Sequence, residues 1–190
     1  MTGKAFGWNN ALRIDSFHFT CGHCGHPIAS DVGYYKDNGE YIYICHFCEC
    51  PTYMGRNRTK QVPGAICGEE VDDVNDPNIL DLYNEARRCM TYSAYTASVL
   101  CCRKLLMNIA VSKGAKEGLK FIEYVEYLAA KNYIPPGGDE WVDHIRKKGN
   151  EATHEIVMMA KVDAEELIDF ISMLLKFIYE FPAKMKRKKV

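Results

Sequence analysis

The sequence has no long hydrophobic run: no apolar stretch reaches the roughly 18 residues that a membrane-spanning helix requires, and no basic start leads into an apolar N-terminal segment. A membrane protein is not expected, and a cytoplasmic location is the default. The chain also lacks net charge. Its 24 Lys and Arg stand against 25 Asp and Glu in 190 residues, so there is no overall electrostatic footprint for nucleic acid, and any such binding must rest on local patches. No phosphate-cradling glycine loop, His-Glu-x-x-His pair or nucleophile elbow is present. Internal repeats are absent, and low complexity is confined to the tail "KMKRKK".

Cysteine, in contrast, is abundant. There are nine, an odd number, and six lie between Cys21 and Cys67. A reducing compartment disfavours disulfides, and clustered pairs there usually bind metal. "CGHC", Cys21 to Cys24, is followed 20 residues later by "CHFC", Cys45 to Cys48. Two Cys-x-x-Cys pairs supply four thiolates, each pair on a tight turn whose amides point at sulfur, which is the chemistry of a closed, tetrahedral, structural Zn2+ site. A catalytic zinc is not expected, because four thiolates leave no open position for water. His23, His26, His46 and Cys50 are each near enough in sequence to replace a ligand. Between the pairs, "DVGYYKDNGEYIYI" places a turn-forming "DNG" between two Tyr-containing runs and predicts a hairpin. The result is a zinc ribbon, which at this size should be unfolded without its metal.

The chain after the ribbon reads as a connection and then helices. "GRNRTK" is basic, "QVPGAICG" carries Pro and Gly, and "EEVDDVNDP" is acidic. Asp76 before Pro77 marks a helix start. "MTYS" ends that helix, with Ser93 capping a second up to about Ser112 that is apolar nearly all round. A third runs from about Leu119 to Lys131 and is ended by "IPPGG". Trp141, His144 and Ile145 suggest a short helix before Gly149. Asp163 with Glu166 gives a capping-box-like start to the last helix, whose stripe from Leu167 to Ile178 must be buried. The expectation is a mainly α chain: zinc ribbon with N-terminal arm over 1–53, linker over 54–76, α-helical bundle over 77–182, and a solvated basic tail over 183–190.

Three further groups of residues carry alternatives. Tyr34, Tyr35, Tyr41, Tyr43, Phe47 and Tyr53 with Arg56, Arg58 and Lys60 could form a nucleic-acid-binding face of stacking rings and phosphate contacts, or simply stabilise a small hairpin. Arg103, amid apolar residues, should pair with an acid such as Glu85 or reach a site, while Cys89, Cys101 and Cys102 read as small core residues. In "GNEATHE", Gly149 can end one helix and Asn150 can cap the next. Asn150 and His154, spaced i, i+4, would share one face if the helix runs through them.

The ribbon, the Pro-containing linker, "YNEARRCMTYSAYTASVLCCRKLL", "IRKKGNEATHE" and "LIDFISMLLKFIYEFP" together resemble proteins built on the domain of unknown function 4145, over about residues 77–182. That resemblance implies a bundle related to the HEPN superfamily, a context of restriction and phage defence, and a homodimer. Many HEPN proteins are metal-independent RNases with an Arg-Asn-x-x-x-His signature. Asn150 and His154 match its Asn and His, but Gly149 stands at the Arg position and supplies no charge for the phosphate, leaving Arg103, Arg146, Lys147 or Lys148 to substitute. The preferred reading is a non-enzymatic accessory protein that binds nucleic acid or a defence-system protein. The alternatives are an RNase using His154 and Asn150, and an inhibitor of a defence or restriction enzyme.

Overall fold

The computed structural model describes residues 7–134 and 158–188. It divides into two units, Met1–Ile66 with Thr91–Ser93, and Cys67–Met90 with Ala94–Val190.

The first unit is a five-stranded antiparallel meander in the order β1 (Leu12–Thr20), β2 (Pro27–Lys36), β3 (Glu40–Ile44), β4 (Pro51–Met54) and β5 (Gln61–Val62). The "DNG" turn joins β2 to β3, where Lys36 pairs with Glu40 and Gly39 takes a φ of 82°. This sheet corrects the mainly α expectation: 19% of the described residues are in strands and 46% in helices. The physical reason lies in β1 and β2, of nine and ten residues. β1 carries a register shift between Arg13 and Phe17, and such a bulge breaks the period-2 alternation by which a strand is recognised. Two-residue β5 has no periodicity of its own and forms by pairing Val62 with Tyr53.

Tyr43 centres the small core of this unit. It is fully buried, its hydroxyl donates to the Asp15 carbonyl at 2.9 Å, and its ring lies 5.8 Å from Phe17, 5.9 Å from Phe19 and 5.6 Å from Tyr41. Gly33, paired with Tyr43, is needed for the close approach of β2 to β3, since a Cβ there would lie 1.8 Å from the Ile42 carbonyl oxygen.

The second unit is helical. α1 (Pro77–Thr91), α2 (Tyr95–Ser112), α3 (Phe121–Ala130) and α4 (Lys161–Leu175) lead into a π-helical turn (Lys176–Glu180) and α5 (Phe181–Arg187). α2 packs on both α3 and α4 through a cluster that includes Leu105, Leu106, Ile109, Val125, Ile168 and Ile171, as its apolar circumference requires. The Asp76 carboxylate accepts the Asn78 N–H at 3.0 Å and opens α1.

Two caps differ from the expected ones. Ser93, with φ 60°, belongs to the end of α1, where the Ala94 N–H reaches the Cys89 carbonyl in a Schellman-type closure. Asp163 sits inside α4 and accepts the Ala160 N–H at 3.0 Å, so the helix starts earlier than an Asp163 cap would set it. The basic tail is helical through Arg187 and its side chains are exposed, and Arg187 holds Asp73 through two hydrogen bonds of 2.7 Å. The proposed short helix at Trp141, His144 and Ile145 lies outside the described residues.

Candidate metal centre

In an antiparallel meander, the β1–β2 and β3–β4 connections fall at the same end of the sheet, and each holds one Cys-x-x-Cys pair. The two turns are built alike. Cys21 N–H donates to the His26 carbonyl and Gly25 N–H to the Cys21 carbonyl; Cys45 N–H donates to the Cys50 carbonyl and Glu49 N–H to the Cys45 carbonyl, all between 2.9 and 3.0 Å. Gly25 and Glu49, at matching positions, both have positive φ, 75° and 59°. Each turn folds its amides toward sulfur, as in the 3.4 Å contact from the His23 N–H to Cys21 Sγ.

The four sulfurs of Cys21, Cys24, Cys45 and Cys48 lie within 4.8 Å of one another. Cys21 Sγ is 3.8 Å from Cys48 Sγ, and Cys24 Sγ is 3.7 Å from Cys45 Sγ. A tetrahedral ion with metal–sulfur bonds of about 2.3 Å requires edges of about 3.8 Å, and these two edges have that length, so the cluster could hold such an ion. Cys21 and Cys45 are buried and Cys24 and Cys48 partly so. Burial pushes the Cys24 and Cys48 thiols up. Cys45 is buried too, yet the amides of Cys48 and Phe47 draw it below the ordinary thiol value. Among the described residues this is the one metal-competent cluster.

Of the residues named as substitute ligands, Cys50 is not part of the cluster and the three histidines have other partners. His23 Nε2 lies 3.1 Å from the Pro51 carbonyl oxygen, and the His26 and His46 rings flank Phe47 with centroids 4.3 and 4.6 Å away. A feature invisible in sequence is the seat of the first turn: a Cβ on Gly22 would stand 2.2 Å from the Gly64 carbonyl oxygen and 2.6 Å from that of Pro63. "CGHC" alone marks Gly22 as a turn residue; only the fold reveals the backbone lying against it.

The aromatic set does not form one face. Tyr34, Ile42 and Tyr53 are paired across the sheet, whereas Tyr41 and Tyr43, one residue away along β3, point to the opposite side. There the Arg58 guanidinium lies over Tyr41, Phe17 and Tyr43 at 4.8, 5.0 and 6.0 Å, with Nε buried and without a hydrogen-bond partner. Arg56 Nε is 4.0 Å from Glu40, and Lys60 is exposed at the sheet edge beside β5. In the helical unit Arg103 lies over Phe121 at 4.2 Å, and its Nη1 has no hydrogen-bond partner. Burial alone lowers its pKa. Cys102 is fully buried, and Cys89 and Cys101 partly so. His154, Asn150, Gly149, Arg146, Lys147 and Lys148 lie outside the described residues. No described helix is long and apolar enough to cross a membrane.

A family model described as "Domain of unknown function (DUF4145)" matches residues 84–189, more than half of the chain. The metal cluster precedes the matched residues. No curated protein and no solved structure matches the chain.

Proposed function

The chain belongs to the DUF4145 family, and from that premise we propose that it is a zinc-stabilised, non-enzymatic interaction module acting beside a restriction or phage-defence system. The closed four-thiol cage carries this reading: four soft donors at tetrahedral spacing suit Zn2+ and leave no position for a reacting water. The zinc is structural, holding the two turns so that the sheet presents its surface to a partner.

A protein partner fits better than nucleic acid. Between residues 7 and 66 five Lys and Arg are balanced by five Asp and Glu, and a zinc held by four thiolates adds a doubly negative centre. Arg13 pairs with Asp31, Arg56 with Glu40, and Arg58 is taken up by aromatic rings. Phosphate binding needs free cations, and of the three proposed contacts Arg56, Arg58 and Lys60, only Lys60 has neither an ion pair nor a ring contact here.

The test combines metal analysis with labelled single-stranded RNA and tRNA, incubated in EDTA with wild-type protein and His154→Ala. One zinc per chain, lost in Cys45→Ser, and intact RNA with no salt-sensitive shift are expected. RNA cleavage that disappears in His154→Ala would establish the RNase instead. A salt-sensitive shift without cleavage would replace the protein partner with nucleic acid.

A further inference from the structure

A cleft of about 780 Å3 opens on the helical unit, lined by one face of α2, the start of α1 and the loop between α2 and α3. Small-molecule sites have volumes of roughly 300–1,000 Å3, so the cleft has room for such a ligand. α2 contributes two adjacent rows at four-residue spacing. Met107 and Val111 form the apolar row, and Lys104, Asn108 and Ser112 form the polar one. Leu119 extends the apolar lining from the loop, and its N–H donates to the Tyr124 hydroxyl at 3.2 Å, which fixes the loop against α3. Met107, Val111 and Leu119 all pack against the helical core, so this lining is held in place by its neighbours.

The polar lining is not explained by the fold. Among the described residues, the side chains of Lys104, Asn108 and Glu117 make no hydrogen bond or ion pair. Asparagine is a poor helix former, so helix stability does not account for a half-buried Asn108 without a partner in the middle of α2. Asp76 caps α1 through its Oδ1 and lines the cleft from that side, while Glu117 lines it from the loop. The cleft thus brings together one cation, two carboxylates on separate elements and a carboxamide that both donates and accepts. A simple cation would meet Lys104 there, and a simple anion would meet two carboxylates. A ligand that carries both charges satisfies all three groups.

We propose that this cleft is a binding site for a small zwitterion with an apolar body, the chemistry of a free apolar amino acid. The ligand carboxylate pairs with Lys104, the ammonium with Glu117 and Asp76, and the apolar body lies on Met107, Val111 and Leu119. The site belongs to the helical unit alone and is independent of the zinc reading above. Exposed ion pairs are screened by solvent, so the affinity is modest, and selectivity comes from the need for both charges at once.

Titration of the full chain with L-leucine, followed by amide proton–nitrogen correlation spectra, tests it. Three comparison compounds each remove one feature: leucinamide lacks the carboxylate, N-acetylleucine lacks the ammonium, and glycine lacks the apolar body. L-leucine should saturate the site at or below about 20 mM, with shifts at residues 104–112 and 117–119, and each comparison compound should bind at least about tenfold more weakly. Lys104→Ala should lower the affinity for leucine to that for leucinamide, and Glu117→Gln should narrow its lead over N-acetylleucine. Both positions are exposed, so both variants should keep the helical ellipticity of the wild type. No saturable shift in the wild type, equal binding of the four compounds, or a Lys104→Ala chain that still prefers leucine to leucinamide would overturn the proposal.

Discussion

Glu49 holds in the second metal turn the place that Gly25 holds in the first, with φ of 59° against 75°. Left-handed backbone costs a residue with a Cβ about 1–2 kcal/mol, and glycine gives back part of that through its extra freedom in the unfolded chain. Glu49→Gly is therefore expected to stabilise the sheet unit by about 0.5–1 kcal/mol, read as a higher thermal midpoint of the zinc-loaded protein. The Trp8 indole bond is to the Glu49 carbonyl and survives the change. Gly22→Ala works in the opposite direction. Its methyl would meet the Gly64 and Pro63 carbonyl oxygens, which are backbone and cannot swing aside. A cost of roughly 1–3 kcal/mol is expected, appearing as weaker zinc retention in competition with a chromophoric chelator; unchanged retention would mean that residues 63–64 yield. The two glycines of "CGHCGH" thus have different reasons. Gly25 needs a conformation, which turn chemistry makes legible in sequence. Gly22 needs space beside a segment some forty residues on, which no local pattern encodes.

Elements with a period of their own could be read from the chain: α1, α2, the β2–β3 hairpin and the paired thiol turns. Those formed by long-range pairing could not. β5 exists because β4 offers it an edge, and the rings of β1 and β3 close round Arg58 from a distant turn, a contact that no local pattern announces. The connection after Cys67 was legible only as acidic. Folded, it is a strap along the last helical segment: Glu69 pairs with Lys176, the Asp72 N–H donates to the buried Glu180 carboxylate at 3.2 Å, and Asp73 holds Arg187. The hydrogen bond from Arg187 keeps the Asp73 carboxyl below its ordinary value of 3.8. A carboxylate with a depressed folded pKa contributes fully above its unfolded value and loses that contribution as pH falls through the folded one. The strap should hold α5 at neutral pH and release it progressively below about pH 4. Asp73→Asn should release it at pH 7. Heteronuclear NOE values for residues 181–187 check this, and values unmoved by either change would leave the ion pair without a role in ordering α5.

At the scale of the molecule, two apolar clusters differ in what holds them. The helical cluster spans four helices and contains none of the four cage cysteines. The sheet cluster consists of Phe19, Cys21, Ile28, Tyr43, Cys45 and Met54, so two of its six members are proposed metal ligands. A unit of about 60 residues buries too small a fraction of its surface to be more than marginal alone, whereas zinc binding to four thiolates supplies on the order of 10 kcal/mol of folding free energy. Metal and core are then one cooperative structure in the sheet unit and unrelated in the helical unit. Titration with a strong chelator should abolish the near-ultraviolet signal of the Tyr43 cluster while most helical ellipticity remains, and Cys45→Ser should reproduce that state without chelator. Readdition of Zn2+ should restore the aromatic signal in the wild type alone. Simultaneous loss of helix and aromatic signals would make the chain a single cooperative body. Persistence of the aromatic signal without metal would mean that Tyr43, Phe17, Phe19 and Arg58 suffice to hold the sheet, and the cage would then need a purpose other than stability.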